Sequence, residues 1–223
     1  MATLHVLRAF SSIAGEFGNP LGVFLDGSEV PRERRQEIAA DLNFSETVFV
    51  DDRPRGEIDI YTPAAPIPFA GHPLVGTAWL LRQEDGSCDE LNPPAGRAPV
   101  RHSDEMTFFS APAAWSPDFR LDQLGGPTEV DALRPEDFTD DVYAWAWIDE
   151  AAGAVRARSF VPSFGIPEDE ATGSAALALA AQLGRAITVR QGGGSVITAR
   201  PLDDGLVEIG GRVTPAEVRD YDV

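Results

Sequence analysis

Two short stretches constrain this chain more than any others: Pro68-Phe69-Ala70-Gly71-His72-Pro73-Leu74-Val75-Gly76-Thr77-Ala78 and Glu168-Asp169-Glu170-Ala171-Thr172-Gly173-Ser174-Ala175-Ala176. In each, a titratable residue sits in a turn of small residues that opens directly into an apolar helical run, Leu74 to Leu81 in one and Ser174 to Leu183 in the other. A helix that is apolar on every side must lie within or between sheets. The turns before two such helices present N-termini whose unpaired N–H groups and positive dipole ends favour an anion. Facing each other, they would clamp a small carboxylic acid between titratable side chains.

The remaining pattern supplies the sheets. Leu4 to Phe10 and Leu21 to Leu25 read as strands joined by the turn Gly18-Asn19-Pro20-Leu21-Gly22. Pro31 to Leu42 reads as a surface helix with Ile38, Ala39 and Leu42 on its buried stripe. Period-two alternation over Phe44 to Val50, the turn at 53–56 and a strand at 57–61 predict a hairpin. Residues 84–104, rich in Pro, Gly and charge, are the best linker candidate. Beyond them, strands are expected at 106–110, 142–148, 154–160, on both sides of the turn Gln191-Gly192-Gly193-Gly194, and at 205–213, with Gly184 capping the second apolar helix. The result is an α+β fold of two similar lobes, each a curled mixed or antiparallel sheet around one apolar helix. The expected boundaries are 1–100 and 101–223, with the last strand free to return to the first lobe.

Composition removes several chemistries. Among 223 residues there are 18 basic and 36 acidic side chains, a formal charge of −18 that repels nucleic acid and anionic lipid. Every basic residue is arginine, so no lysine exists to form a Schiff base or anchor pyridoxal phosphate. The single cysteine, Cys88, allows no disulfide or paired-thiol site and reads as a solvent-facing loop thiol within 85–89. The three histidines, His5, His72 and His102, share no metal-ligand spacing with other donors. Nothing resembles a signal peptide or membrane span, so the cytoplasm is the expected compartment.

Strand alternation puts Glu46 on one face with Phe44, Val48 and Val50. A carboxyl on an apolar face has its pKa raised toward neutrality, as a group that takes and returns protons requires; the alternative is a turn cap at an exposed strand end. His72, between Gly71 and Pro73, either reaches a ligand at the helix entrance or packs locally. Asp169 either faces inward or, like Glu168 and Glu170 beside it, only complements the helix dipole, and Thr172 or Ser174 either cap that helix or meet a substrate. The glycines at 192–194 lack the following Lys-Ser or Lys-Thr of a phosphate loop, and no Gly-x-Ser-x-Gly elbow occurs.

Taken in order, Gly18-Asn19-Pro20-Leu21, Asn43 to Val50, Tyr61-Thr62-Pro63-Ala64, Pro68 to Ala78, Gly165 to Asp169 and Ala171 to Ala175 resemble the PhzF-like isomerases, named for phenazine biosynthesis. Their fold is shared with diaminopimelate epimerases. The resemblance implies a cofactor-independent isomerase, usually homodimeric, that shifts a proton within a small unsaturated amino or hydroxy acid. Glu46 matches the family's catalytic carboxylate, with His72 and Asp169 beside it. Asn19, Ser45, Gly71, Gly173 and Ser174 match cleft positions. Epimerisation, loss of water, or binding without turnover are the alternatives on the same scaffold. Three departures stand out: Pro66 where an acidic residue is usual, Glu170 in place of a proline, and a short stretch between about 110 and 155. Alanines 70 and 171 occupy the counterparts of the thiols in cysteine-dependent epimerases, which excludes a two-thiol racemase.

Overall fold

The computed structural model describes residues 1–223. The first half comprises β1 (Ala2–Ser11), β2 (Asn19–Phe24), α1 (Arg32–Leu42), β3 (Glu46–Asp52), β4 (Glu57–Tyr61), β5 (Pro66–Ile67), α2 (Gly71–Asp85), β6 (Glu90–Leu91) and β7 (Ala98–Ser103). The second half comprises β8 (Met106–Pro112), β9 (Arg120–Gln123), α3 (Pro127–Asp131), β10 (Val142–Asp149), β11 (Ala154–Val161), β12 (Ile166–Asp169), α4 (Gly173–Leu183), β13 (Ile187–Gln191), β14 (Ser195–Pro201) and β15 (Leu206–Tyr221). All fifteen strands form one curled mixed sheet whose main path runs β5-β4-β3-β2-β1-β15-β14-β13-β11-β10-β9, with β12 beside β11 and a branch β8-β7-β6 leaving β15. β15 joins its two parts: residues 206–211 pair with β8 and, over 207–210, with β14, whereas 212–221 run antiparallel to β1.

The two apolar helices lie where their sequences require. α2 and α4 belong to one apolar cluster of 37 buried residues that also takes in Val48, Tyr143, Val189 and Ile209, so the two parts of the sheet share a continuous core. Burying each leucine in it contributes about 1.5–3 kcal/mol. α1 covers the opposite face of the first part, where Ile38 packs with Leu4, Phe24 and Phe49. Gly86 and Gly184 end α2 and α4 in the left-handed conformation, and each donates its N–H to a carbonyl of the last turn. No helix is long and apolar enough to cross a membrane.

Three expectations are corrected. The segment 84–104 is not an open linker: α2 continues to Asp85, β6 and β7 follow, and Leu91 and Ala98 are fully buried. Cys88 is buried rather than solvent-facing; its thiol donates to the Glu90 carbonyl, and desolvation pushes its pKa up to about 12. Phe44 precedes β3 instead of joining it and packs with the α1-side cluster, so Glu46 shares its face with Val48 and Val50 alone.

Candidate active site

The N-termini of α2 and α4 touch. A Cβ built on Gly71 would lie 2.6 Å from Gly173 Cα, and one on Gly173 would lie 2.9 Å from Gly71 Cα, so this approach exists only because both positions are glycine. Neither helix has a side-chain cap or an acidic residue in its first turn. Their leading amides are free for a ligand.

Beside this junction lies a cavity of about 220 Å³. Glu46, Thr62, Ser116, Asp169, Thr172 and Ser174 supply its polar wall, and Phe69, Trp115 and Phe119 are prominent in the apolar remainder. None of the 18 arginines reaches it, so the positive potential beside it comes from the helix ends. Trp115 and Phe119 arrive on the segment after β8, which Ser116 ties down by donating its hydroxyl to the Ser174 carbonyl at 3.0 Å.

Glu46 is the first residue of β3, yet its side chain is only 13 % exposed. Desolvation, reinforced by the charge of Asp169, holds its pKa well above the ordinary carboxyl value. Its Oε2 lies 3.2 Å from His72 Nε2 without the alignment of a hydrogen bond, and neither atom has another partner. Burial lowers the His72 pKa to about 3, so the ring is neutral, and its backbone acceptor is the Pro20 carbonyl. His72 Nδ1 lies 3.3 Å from Asn19 Nδ2, and Nε2 faces Glu46. His72 lies behind Glu46 rather than in the cavity wall.

Asp169, at the end of β12, is 6 % exposed and has its pKa raised to about 6 by desolvation, with hydrogen bonds from Thr172, Asn19 and Ser45 opposing the rise. Asn19 Nδ2 donates to Asp169 Oδ1 at 2.6 Å and to the Ala171 carbonyl at 3.1 Å, while its Oδ1 accepts from the Ser45 hydroxyl at 3.1 Å. Asn19 thereby ties the start of β2 to the turn before α4. Thr172 occupies the N-cap position of α4 without capping it; its hydroxyl donates to Asp169 Oδ2 at 2.6 Å. The neighbouring acids diverge from Asp169. Glu168 pairs outward with Arg158, and Glu170 accepts from the Gly193 amide and the Ser195 hydroxyl, which gives this glutamate a structural task at the glycine turn.

All eight residues singled out in the sequence converge here, but in different positions. Glu46, Asp169 and Ser174 line the cavity, Asn19, Ser45 and His72 stand behind its polar wall, and Gly71 and Gly173 form the helix junction. Sequence reasoning missed the aromatic wall and the pair Tyr143 and Gln191, which lies fully buried behind Thr172. A tyrosine on a core strand needs a partner for its hydroxyl, and that was the only available signal.

The sequence profile of the family described as phenazine biosynthesis-like protein matches residues 7–118 and 137–199. The trans-2,3-dihydro-3-hydroxyanthranilate isomerase of Pseudomonas aeruginosa is 34% identical over 223 residues, an alignment covering 81% of this chain and 79% of that protein. A phenazine biosynthesis PhzC/PhzF protein from Clostridium difficile superimposes with a TM-score of 0.82 over the full length of both chains at 21% identity. A predicted epimerase from Pseudomonas aeruginosa gives 0.72 over 99% of both chains at 22% identity. The profile skips 119–136, so Phe119 falls just outside the matched residues and Trp115 just inside. With most of its length matched in motif order, the chain belongs to the phenazine biosynthesis-like family of PhzF-type isomerases.

Proposed function

We propose that this protein isomerises a small unsaturated amino or hydroxy acid, with Glu46 taking a proton from carbon and returning one elsewhere along the conjugated system. The observation that carries this reading is the Glu46 carboxyl itself: it is desolvated, lines the cavity, and has an oxygen with no hydrogen-bond partner. A carboxylate made more basic by burial is a better match to a weak carbon acid, and general acid/base transfer contributes about 10² to 10⁴ in rate.

The substrate carboxylate sits at the α2 and α4 amides. As Glu46 removes the proton, the electron pair spreads through the conjugated system onto that carboxylate, where each well-placed donor is worth about 3 kcal/mol. Asp169, ionised at neutral pH, accepts a hydrogen bond from the amino or hydroxyl group and fixes the substrate relative to Glu46. Neutral His72 sets its Nε2 against the Glu46 carboxyl and so orients that carboxyl between abstraction and return.

The test uses trans-2,3-dihydro-3-hydroxyanthranilate, the compound named for the relatives, in heavy water. Wild-type protein should convert it with deuterium entering the product, whereas Glu46→Gln should bind it nearly as well by calorimetry yet show neither conversion nor exchange. Turnover by Glu46→Gln near the wild-type rate would defeat the assignment. The same reading takes the working protein as a cytoplasmic homodimer, for which the exposed Ile13, Phe17 and Ile148 around one groove offer an apolar surface. Light scattering should then report twice the mass of one chain.

A further inference from the structure

Behind the cavity wall, three strands and the α4 turn converge on a polar cluster whose inner members, Tyr143 and Gln191, are fully buried. Gln191, the last residue of β13, is fully buried and does not reach the cavity. Its Oε1 accepts from the Thr172 backbone N–H at 3.1 Å and from the Tyr143 hydroxyl at 3.0 Å. Its Nε2 donates to the Asp169 carbonyl at 2.9 Å and to Thr172 Oγ1 at 2.8 Å.

Two of these partners fix the amide without ambiguity. An N–H can only donate and a backbone carbonyl can only accept, so turning the amide over would set like against like on both sides. With both Nε2 hydrogens engaged, Thr172 Oγ1 is an acceptor toward Gln191 and must send its own hydrogen elsewhere. Asp169 Oδ2, at 2.6 Å, is the acceptor it meets. The direction of this bond is therefore imposed from Gln191, which Tyr143 holds in turn.

Building on the reading of Asp169 as a wall of the reaction cavity, we infer that Gln191 is a positioning residue: it fixes the direction of the Thr172 hydroxyl and thereby keeps Asp169 a hydrogen-bond acceptor held toward the cavity. Left free, that hydroxyl would exchange donor and acceptor roles, and a protonated Asp169 could donate to it. The groups facing Asp169 are Glu46 from β3, His72 from α2 across Asn19, Tyr143 from β10 and adjacent Glu170, while Arg156 on β11 acts on Tyr143. None of the other titratable groups occupies Asp169 Oδ2, so loss of the oriented hydroxyl acts directly on that carboxyl.

The test reads Asp169 in the substrate-free protein, so its outcome is separate from whether Glu46 moves a proton. Aspartate is labelled with ¹³C at Cγ, the Asp169 resonance is identified by its loss in Asp169→Asn, and its titration midpoint is followed in the wild type and four variants. Gln191→Met should raise the midpoint by about one pH unit, as loss of a bond to the charged form does, and Thr172→Val should raise it similarly. The double variant should rise no further than Thr172→Val alone, because Gln191 works through that hydroxyl. Thr172→Ser, which keeps the hydroxyl, should restore the wild-type value.

An unchanged midpoint in Gln191→Met, or additive shifts in the double variant, would overturn the inference. Should Gln191→Met not fold, Tyr143→Phe, which removes only the hydroxyl that holds Gln191, enters the same cycle with Thr172→Val. There a smaller upward shift that vanishes in the Thr172→Val background supports the inference, and a shift that persists refutes it.

Discussion

Replacing Gly71 by alanine tests the helix junction on which the site depends. The new Cβ would lie 2.6 Å from Gly173 Cα, 2.7 Å from Gly173 C and 2.9 Å from Ser174 N. All three are backbone atoms, so no flexible side chain can yield, and reaching ordinary contact at 3.4 Å requires the two helix ends to part by about 0.8 Å. Overpacking of this kind costs about 1–3 kcal/mol, less the fraction of a kilocalorie that alanine gains over glycine in a helix. The protein should therefore fold, with a modestly lower denaturation midpoint. Activity should suffer far more, since misplacement by about 1 Å of groups that hold a reacting substrate costs about 10²-fold. Gly76→Ala provides the control: on the same helix, its Cβ comes closer than ordinary contact only to the end of the Leu21 side chain, so it should cost comparable stability and leave kcat/KM within a few-fold. If Gly71→Ala keeps wild-type kcat/KM, or Gly76→Ala loses as much, the two helix ends do not form the substrate clamp.

Two further outcomes follow from burial. Asp169 has its pKa raised from 3.8 to about 6, so its ionisation opposes folding, and the cost appears as pH rises from about 4 through 6. Asp169→Asn should consequently be more stable than wild type above pH 6, by up to about 2–3 kcal/mol, with the advantage fading as pH falls toward 4 in urea titrations; a difference that does not vary with pH would contradict this. Cys88, buried and with a thiol pKa near 12, should resist iodoacetamide at pH 8 in the native state and react once urea unfolds the chain, as mass spectrometry would show, and rapid native labelling would return it to the surface.

The sequence made the two apolar helices legible because they lack a polar face, and it made Glu46 legible because period two put a carboxyl beside Val48 and Val50. Convergence of these signals followed from the adjacent small-residue turns. What stayed hidden depends on pairing between distant strands. Tyr143 and Gln191 stand 48 positions apart, and no local pattern announces that a tyrosine and a glutamine will share one buried cluster. Cys88 and the segment around it misled for the opposite reason, since acidic and small neighbours read as solvent while Leu91 and Ala98 draw the backbone into the core. The aromatic wall was equally opaque: Trp115 ends a single 3-10 turn at 113–115 and Phe119 follows it in a stretch without period, held by the Ser116 tether.

The pairing of residues 2–11 with 212–221 has a consequence for how the protein is made. During synthesis the first strand emerges about two hundred residues before its neighbour, so the opening half of the nascent chain waits on the ribosome with an unsatisfied edge. Contacts so distant in sequence make folding slow, and open strand edges invite pairing with other chains. The β1 edge therefore stays open until the closing strand has been made, and a break within 212–221 would expose it again.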